Sequence, residues 1–226
     1  MIVNKQDKIK KSELLSVPLF SGITENELNQ LLYCCRSYEA EYKKGDFIIL
    51  DDDKVTYVGI VLSGSVNMLK NDIYGNQTLL TYIGPGELFG ENFAIQKEQN
   101  ANVSFVAGQT THVLFMAAFN LIHSCSRNCT FHQTLVQNFF DLLGKKSVRL
   151  MEKIEITSKT TIRDKILAYL SMLSQEQKSR YVTLPITKSE LAEYLSVNRS
   201  AMMRELTNMR NDGLIDFDKT TFRILI

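Results

Sequence analysis

Histidine is scarce in this chain: three among 226 residues, at positions 112, 123 and 132. A metal-dependent enzyme built in a β-barrel needs several histidine and carboxylate ligands converging on one point. Only His112 falls in a predicted strand, so that class is disfavoured, and no nucleophile–base pair or phosphate-cradling glycine loop appears. Long apolar runs are absent too. No stretch of 18 apolar residues could span a membrane, and Met1–Lys11 is polar and lysine-rich rather than a secretion signal. A cytoplasmic location without membrane attachment is therefore expected. The four cysteines occur as Cys34-Cys35 and Cys125-x3-Cys129, with no C-x2-C zinc spacing. In a reducing compartment Cys34 and Cys35 read as small buried hydrophobes. Cys125 and Cys129 flank the start of a long helix near His123 and His132, where a metal or redox role and a plain structural position both stay open. Charge is nearly balanced, at +1 overall. Residues 1–156 hold 15 Lys and Arg against 17 Asp and Glu, whereas residues 157–226 hold 11 against 8. The modest basic excess thus sits in the C-terminal third.

That third carries the sharpest pattern. In Ile186–Ile226, Thr187 and Glu190 form a T-x-x-E capping box opening a helix over Lys188–Leu195. Ser196-Val197-Asn198 turns the chain, and Asn198 suits the N-cap of a second helix, about Arg199–Asn211. Met202, Leu206 and Met209 give that helix a buried stripe. Arg199, Ser200, Met203, Arg204 and Asn208 lie on its other face, and Gly213 ends it. With a terminal hairpin, this is the pattern of a winged helix-turn-helix. A helix in the major groove reads bases with its first turns, and arginine grips guanine O6 and N7 together. Thr187, Ser189, Asn198, Arg199, Ser200, Met203 and Arg204 are the expected DNA-contacting set. An ordinary helical hairpin with solvated arginines is the bland alternative. The capping box, turn, arginines and hairpin together weigh against it.

Upstream, short strands are expected at Phe47–Leu50, Val55–Leu62, Ser65–Lys70, Gln77–Ile83, Asn102–Ala107 and His112–Met116, separated by glycine-rich turns. They follow a short helix over about Glu25–Cys34 and suggest an antiparallel, jelly-roll-like β-roll. A helix over about Phe131–Ile156 follows. Its Val136, Phe140, Leu143, Ser147, Leu150 and Ile154 recur at 4-3 spacing, a heptad seam suited to a twofold partner. Leu135, Phe139 and Leu142 make a second apolar face that could lie against the β-domain. A single long core helix in a monomer is the alternative to a dimer. Thr157–Thr161 reads as a hinge and N-cap into a helix over about Ile162–Leu173, and 174–180 as a polar loop. The fold class is therefore α+β. An effector-sensing β-roll covers 1–130, a dimerisation helix 131–156 and a winged helix-turn-helix 157–226.

This order of parts resembles the Crp-Fnr transcription regulators. The likeness rests on Leu62-Ser63-Gly64-Ser65-Val66, on Gly84-Pro85-Gly86-Glu87-Leu88-Phe89-Gly90-Glu91, and on Ile186–Ile215, whose VNRSAMMREL phrase looks like the anaerobic Firmicute branch. The resemblance implies a homodimer that binds a palindromic operator in double-stranded DNA, with RNA polymerase as a partner and a small effector in the β-roll. It puts the effector pocket at Leu88, Gly90, Glu91, Ala101 and Asn102, with Ser147, Leu150 and Met151 from the helix. Cyclic-AMP-binding members follow the Gly-Glu pair with an Arg-Ser pair whose arginine neutralises the cyclic phosphate. Here that position falls near Ala101-Asn102, no arginine occurs between Arg36 and Arg127, and Lys97 is the only nearby substitute. A buried phosphate without a cation is costly, so classical cyclic-AMP binding is disfavoured. Iron–sulfur members carry an N-terminal cysteine cluster, and residues 1–33 have no cysteine. A haem- or redox-responsive sensor stays an alternative, although no motif singles out one histidine. So does a cyclic-nucleotide module regulating an attached protein, against which the complete helix-turn-helix argues. The sequence names no cofactor. In the recognition helix the cyclic-AMP branch has R-E-x-x-x-R. Arg199 and Arg204 keep both arginines, and Ser200 replaces the glutamate that would accept from cytosine N4.

Overall fold

The computed structural model describes residues 14–72, 74–75, 77–96, 100–123 and 129–225. Lys97 and Cys125 lie outside that set, so the expectations placed on them do not meet a described residue. The chain divides into two compact units, Met1–Gly144 and Lys145–Ile226. The division falls within one long helix.

In the first unit, helix α1 (Glu25–Cys34) precedes eight strands. These are β1 (Tyr38–Tyr42), β2 (Phe47–Ile49), β3 (Tyr57–Ser63), β4 (Val66–Asn71), β5 (Gln77–Ile83), β6 (Leu88–Phe89), β7 (Ser104–Ala107) and β8 (Thr111–Ala117). They form two four-stranded sheets, ordered β1-β8-β3-β6 and β2-β7-β4-β5, and every pairing is antiparallel. Side chains alternate between two cores, as period-two strands require. On β8, Val113 and Phe115 face the interior of the roll with Val61, Val66, Phe89 and Phe105. Leu114 and Met116 instead meet Leu28 and Leu31 of α1 and Leu135 and Phe139 of the long helix. The face Leu135–Phe139–Leu142 does pack into its own unit, with Leu135 and Phe139 fully buried.

In the first unit two strands go beyond the sequence expectation. Strand β1 pairs with β8 from Tyr38↔Phe115 to Tyr42↔Thr111, and β6 is a two-residue strand on β3. Two short helices also appear, α2 (Glu91–Ile95) and α3 (Ala118–Ile122). The long helix α4 runs Thr130–Ser158, slightly beyond the expected ends.

The second unit contains the rest of α4, then α5 (Ile162–Gln177), β9 (Tyr181–Thr183), α6 (Lys188–Tyr194), α7 (Arg199–Asn211), β10 (Ile215–Asp218) and β11 (Thr221–Ile224). Thr161 caps α5 by accepting a hydrogen bond from the Asp164 amide at 3.1 Å. The expected polar loop over 174–180 is corrected: α5 continues through Gln177 and stops at Lys178 in a left-handed conformation. Ser174 and Gln177 are good enough helix residues, and burial of Leu173 carries the helix past them. The winged sheet is ordered β10-β11-β9. Its core joins Ile166, Leu170, Leu173, Val182, Leu191, Leu195, Ile215 and Phe222 to the α7 stripe Met202, Leu206 and Met209. Among the described residues no helix is long and apolar enough to cross a membrane.

Candidate functional site

Helices α6 and α7 are set by local chemistry. The Thr187 amide donates to Glu190 Oε2 at 2.7 Å, and the Glu190 amide donates back to the Thr187 hydroxyl at 3.3 Å. Ser196, at φ 53°, takes the left-handed turn that separates the helices. Asn198 Oδ1 then accepts from the amides of Ser200 at 2.9 Å and Ala201 at 3.2 Å. Gly213, at φ 72°, closes α7: its amide bonds Arg210 O and the Leu214 amide bonds Met209 O, satisfying two of the last carbonyls.

The expected DNA-contacting residues fall into three groups. Arg199, Ser200 and Arg204 are exposed on the outer face of α7. Thr187 and Asn198 are exposed, but their oxygens are already engaged as caps. Ser189 is half-buried. Met203 is also half-buried and packs against the unit's core, so its thioether is drawn inward rather than wholly presented outward.

The arginines of this unit differ sharply. Arg163, on the first turn of α5, places Nε 2.6 Å from Glu205 Oε1 and Nη2 2.7 Å from Asp212 Oδ2. Those hydrogen bonds, Glu205 first, raise its guanidinium above the ordinary arginine value. Arg210 places Nε 3.1 Å from Asp216 Oδ1 and lies 3.8 Å over the Phe217 ring. Among the described residues neither Arg199 nor Arg204 has an ion-pair partner. Sequence reading missed Arg163 because its carboxylates lie 42 and 49 residues away, at no periodic spacing. Lys153 on α4 lies 5.2 Å over the Tyr194 ring at the end of α6, and Tyr169 of α5 lies 5.1 Å from the same ring. Burial lowers the Lys153 ammonium below the usual lysine range.

On α4, Phe140, Leu150 and Ile154 are 57%, 59% and 58% exposed, large values for apolar side chains. Ser147 and Met151 are exposed as well. Val136 and Leu143 are half-buried, and Leu143 packs against the core of the first unit. The seam is therefore graded, with its C-terminal half bare.

In the β-roll, Gly90 takes φ 75° ahead of α2, and a Cβ there would come within 3.1 Å of Ile49 Cδ1. Leu88 and Glu91 are buried. Ala101, near which the resemblance would put an anion-binding arginine, is only 2% exposed. Its amide donates to Asp53 O at 2.9 Å and its carbonyl accepts from the Asp52 amide at 2.7 Å. Asn102 is exposed. Lys70 is committed to Asp51 Oδ2 at 3.4 Å and to the Asn102 carbonyl. Consecutive carboxylates Asp51, Asp52 and Asp53 border this segment. Among the described residues the donor set does not fit a cyclic phosphate: the local charge is acidic and Lys70 is spent. Phe89, Phe105 and Phe115 fill the roll with ring centroids 5.3 to 6.1 Å apart.

The histidines are dispersed. His112 Nε2 lies 3.5 Å from Glu39, His123 stacks on Phe119 at 4.1 Å, and His132 is buried with Nε2 3.3 Å from Leu121 O. Cys35 is fully buried, whereas Cys34 and Cys129 are partly exposed. Among the described residues no group of three or more His, Cys, Asp or Glu could hold a metal ion.

Residues 39–128 match the cyclic nucleotide-binding domain family, and residues 164–226 match the Crp-like helix-turn-helix domain family. The cyclic AMP receptor protein of Thermus thermophilus is 24% identical over 92% of each chain. The transcriptional activator protein FnrL of Cereibacter sphaeroides is 19% identical, over 79% of this chain and 72% of that protein. Among solved structures, CprK complexed with OCPA aligns at a TM-score of 0.69 and 16% identity over 88% of each chain. A CooA mutant from Carboxydothermus hydrogenoformans aligns at 0.65 and 15% identity, over 97% of this chain and 93% of that one. These structural likenesses speak for the fold. The two domain matches occur in one chain in the order of its two units, and both curated relatives run across that junction. The chain belongs to the Crp-Fnr family of transcription regulators, with an effector-binding domain ahead of its DNA-binding helix-turn-helix.

Proposed function

We propose that the protein is a homodimeric, sequence-specific regulator that reads a palindromic operator with α7, under the control of an effector bound in the β-roll. The observation that carries this reading is the contrast among arginines. Arg163 and Arg210 are paired with carboxylates, whereas Arg199 and Arg204 stand exposed at the start of α7 without a partner among the described residues. Two bare cations on the exposed side of one helix, about one and a half turns apart, are what major-groove recognition uses. Ser200 between them alters the base pair that a glutamate would read. Thr187 and Ser189, at the start of α6, are proposed phosphate contacts.

The bare apolar residues Phe140, Leu150 and Ile154, with Ser147 between them, support pairing of two α4 helices. A twofold dimer would present two α7 helices to two half-sites, and RNA polymerase is the proposed partner on the promoter. The effector is proposed to lie by Leu88, Gly90, Glu91, Ala101 and Asn102. Its chemistry is proposed to differ from that of the ligand named for the Thermus relative, because no arginine stands in the Ala101 segment and Lys70, the described lysine against it, is engaged by Asp51 and the Asn102 carbonyl. The test is a salt titration of binding to duplexes from the protein's own promoter region and to scrambled duplexes of the same composition. Selective, salt-dependent binding is expected. Equal affinity for both duplexes at every salt concentration refutes the reading.

A further inference from the structure

The recognition helix carries its own negative charge. Glu205 follows Arg204 directly, and Asp212 is the C-cap of α7. Both carboxylates would repel DNA phosphates brought to this helix. Each is instead bound by one residue from a different element: Arg163 of α5 holds Glu205 at 2.6 Å with Nε and Asp212 at 2.7 Å with Nη2. The side chains are 36%, 22% and 49% exposed, so the cluster sits at the surface, where its net charge is felt by an approaching polyanion. Glu205 Oε2 also accepts from Asn208 Nδ2 at 3.3 Å.

We propose that Arg163 is a positioning residue for DNA binding, which acts by partly offsetting the carboxylates of Glu205 and Asp212 and not by touching DNA. This rests on the reading of α7 as the recognition helix. With Arg163 in place the triad carries one net negative charge instead of two, and α7 presents Arg199 and Arg204 over that less negative flank. Without it, two carboxylates lie bare on the helix that must meet the phosphates.

The test measures binding of the full-length protein to a short mixed-sequence duplex at low salt, with folding checked by thermal melts. Arg163→Met is expected to weaken binding about three- to tenfold, the scale of one or two like-charge contacts near a surface. Adding E205Q and D212N to that variant is expected to restore binding to about the wild-type level, although the clamp is then gone. E205Q and D212N with Arg163 intact leave a bare guanidinium and are expected to bind more tightly than wild type. This last variant keeps the test sound even where Arg163→Met folds poorly. Weaker binding by E205Q/D212N, or no recovery in the triple variant, overturns the proposal and assigns the clamp a purely structural or direct-contact role. A parallel R199A/R204A variant separates the two ideas: if it binds as wild type does, the recognition-helix reading has failed instead.

Discussion

Arg199 and Arg204 are about one and a half turns apart on α7, so in the proposed reading each would address a different base step. Arg204→Ala is expected to relax discrimination at one base pair of the operator by ~1–3 kcal/mol. The check is affinity for the operator against single-base variants; a uniform loss across all of them identifies a phosphate contact instead. Asn198 works differently. Its oxygen is spent on the amides of Ser200 and Ala201, so Asn198→Ala removes a cap and is expected to cost about 1 kcal/mol of stability. A denaturant melt reads that loss, and operator discrimination should stay nearly unchanged. The Asn198 cap and the exposure of Arg204 were legible in the sequence, because both follow from residues a few positions apart. The ion pairs of Arg163 were not. Its partners are distant in sequence, and only the packing of α5 against α7 brings the charges together.

At the level of elements, periodicity carried most of the information. The 4-3 repeat along α4 and the buried stripe Met202–Leu206–Met209 follow from 3.6 residues per turn. Strand β1 was missed even though Tyr38-Glu39-Ala40-Glu41-Tyr42 alternates, because glutamates on both sides of one alanine resemble a solvated loop. Its Tyr38 ring lies 4.9 Å from Phe115, and that stacking reveals which face is inside. The C-terminal half of the α4 seam is bare, whereas Leu143 is drawn into its own unit's core. Leu150→Asp combined with Ile154→Asp is therefore expected to yield a monomer. At about 1.5–3 kcal/mol for each buried aliphatic side chain, the pair removes ~3–6 kcal/mol from each helix's contribution. Sedimentation equilibrium reads the outcome, and a dimer of undiminished affinity places the interface elsewhere.

On the scale of the whole molecule, two units with separate cores share one helix, and an effector at one must act on the other through a difference in binding free energy between two states. The chemistry of the β-roll bears on which effector that is. With Ala101 buried, its backbone tied to Asp52 and Asp53, and Lys70 engaged by Asp51, the described residues of the site offer a phosphate neither an arginine nor an uncommitted Lys70. Millimolar cyclic AMP is expected to leave the thermal midpoint unmoved. Ligand at a hundred times its Kd would instead add about 2.7 kcal/mol. A calorimetric scan with and without the nucleotide decides between them.

By itself, the sequence determined the elements and their order: capping boxes, heptad spacing, alternating strands and glycine turns are local, and local chemistry needs no partner from afar. It also determined what is missing, since an arginine absent from 37–126 is absent in any fold. Tertiary structure decided which charges are free. Arg163 and Arg210 are paired and Arg199 and Arg204 are not, because ion pairing depends on distances of a few ångströms between segments that sequence spacing cannot measure.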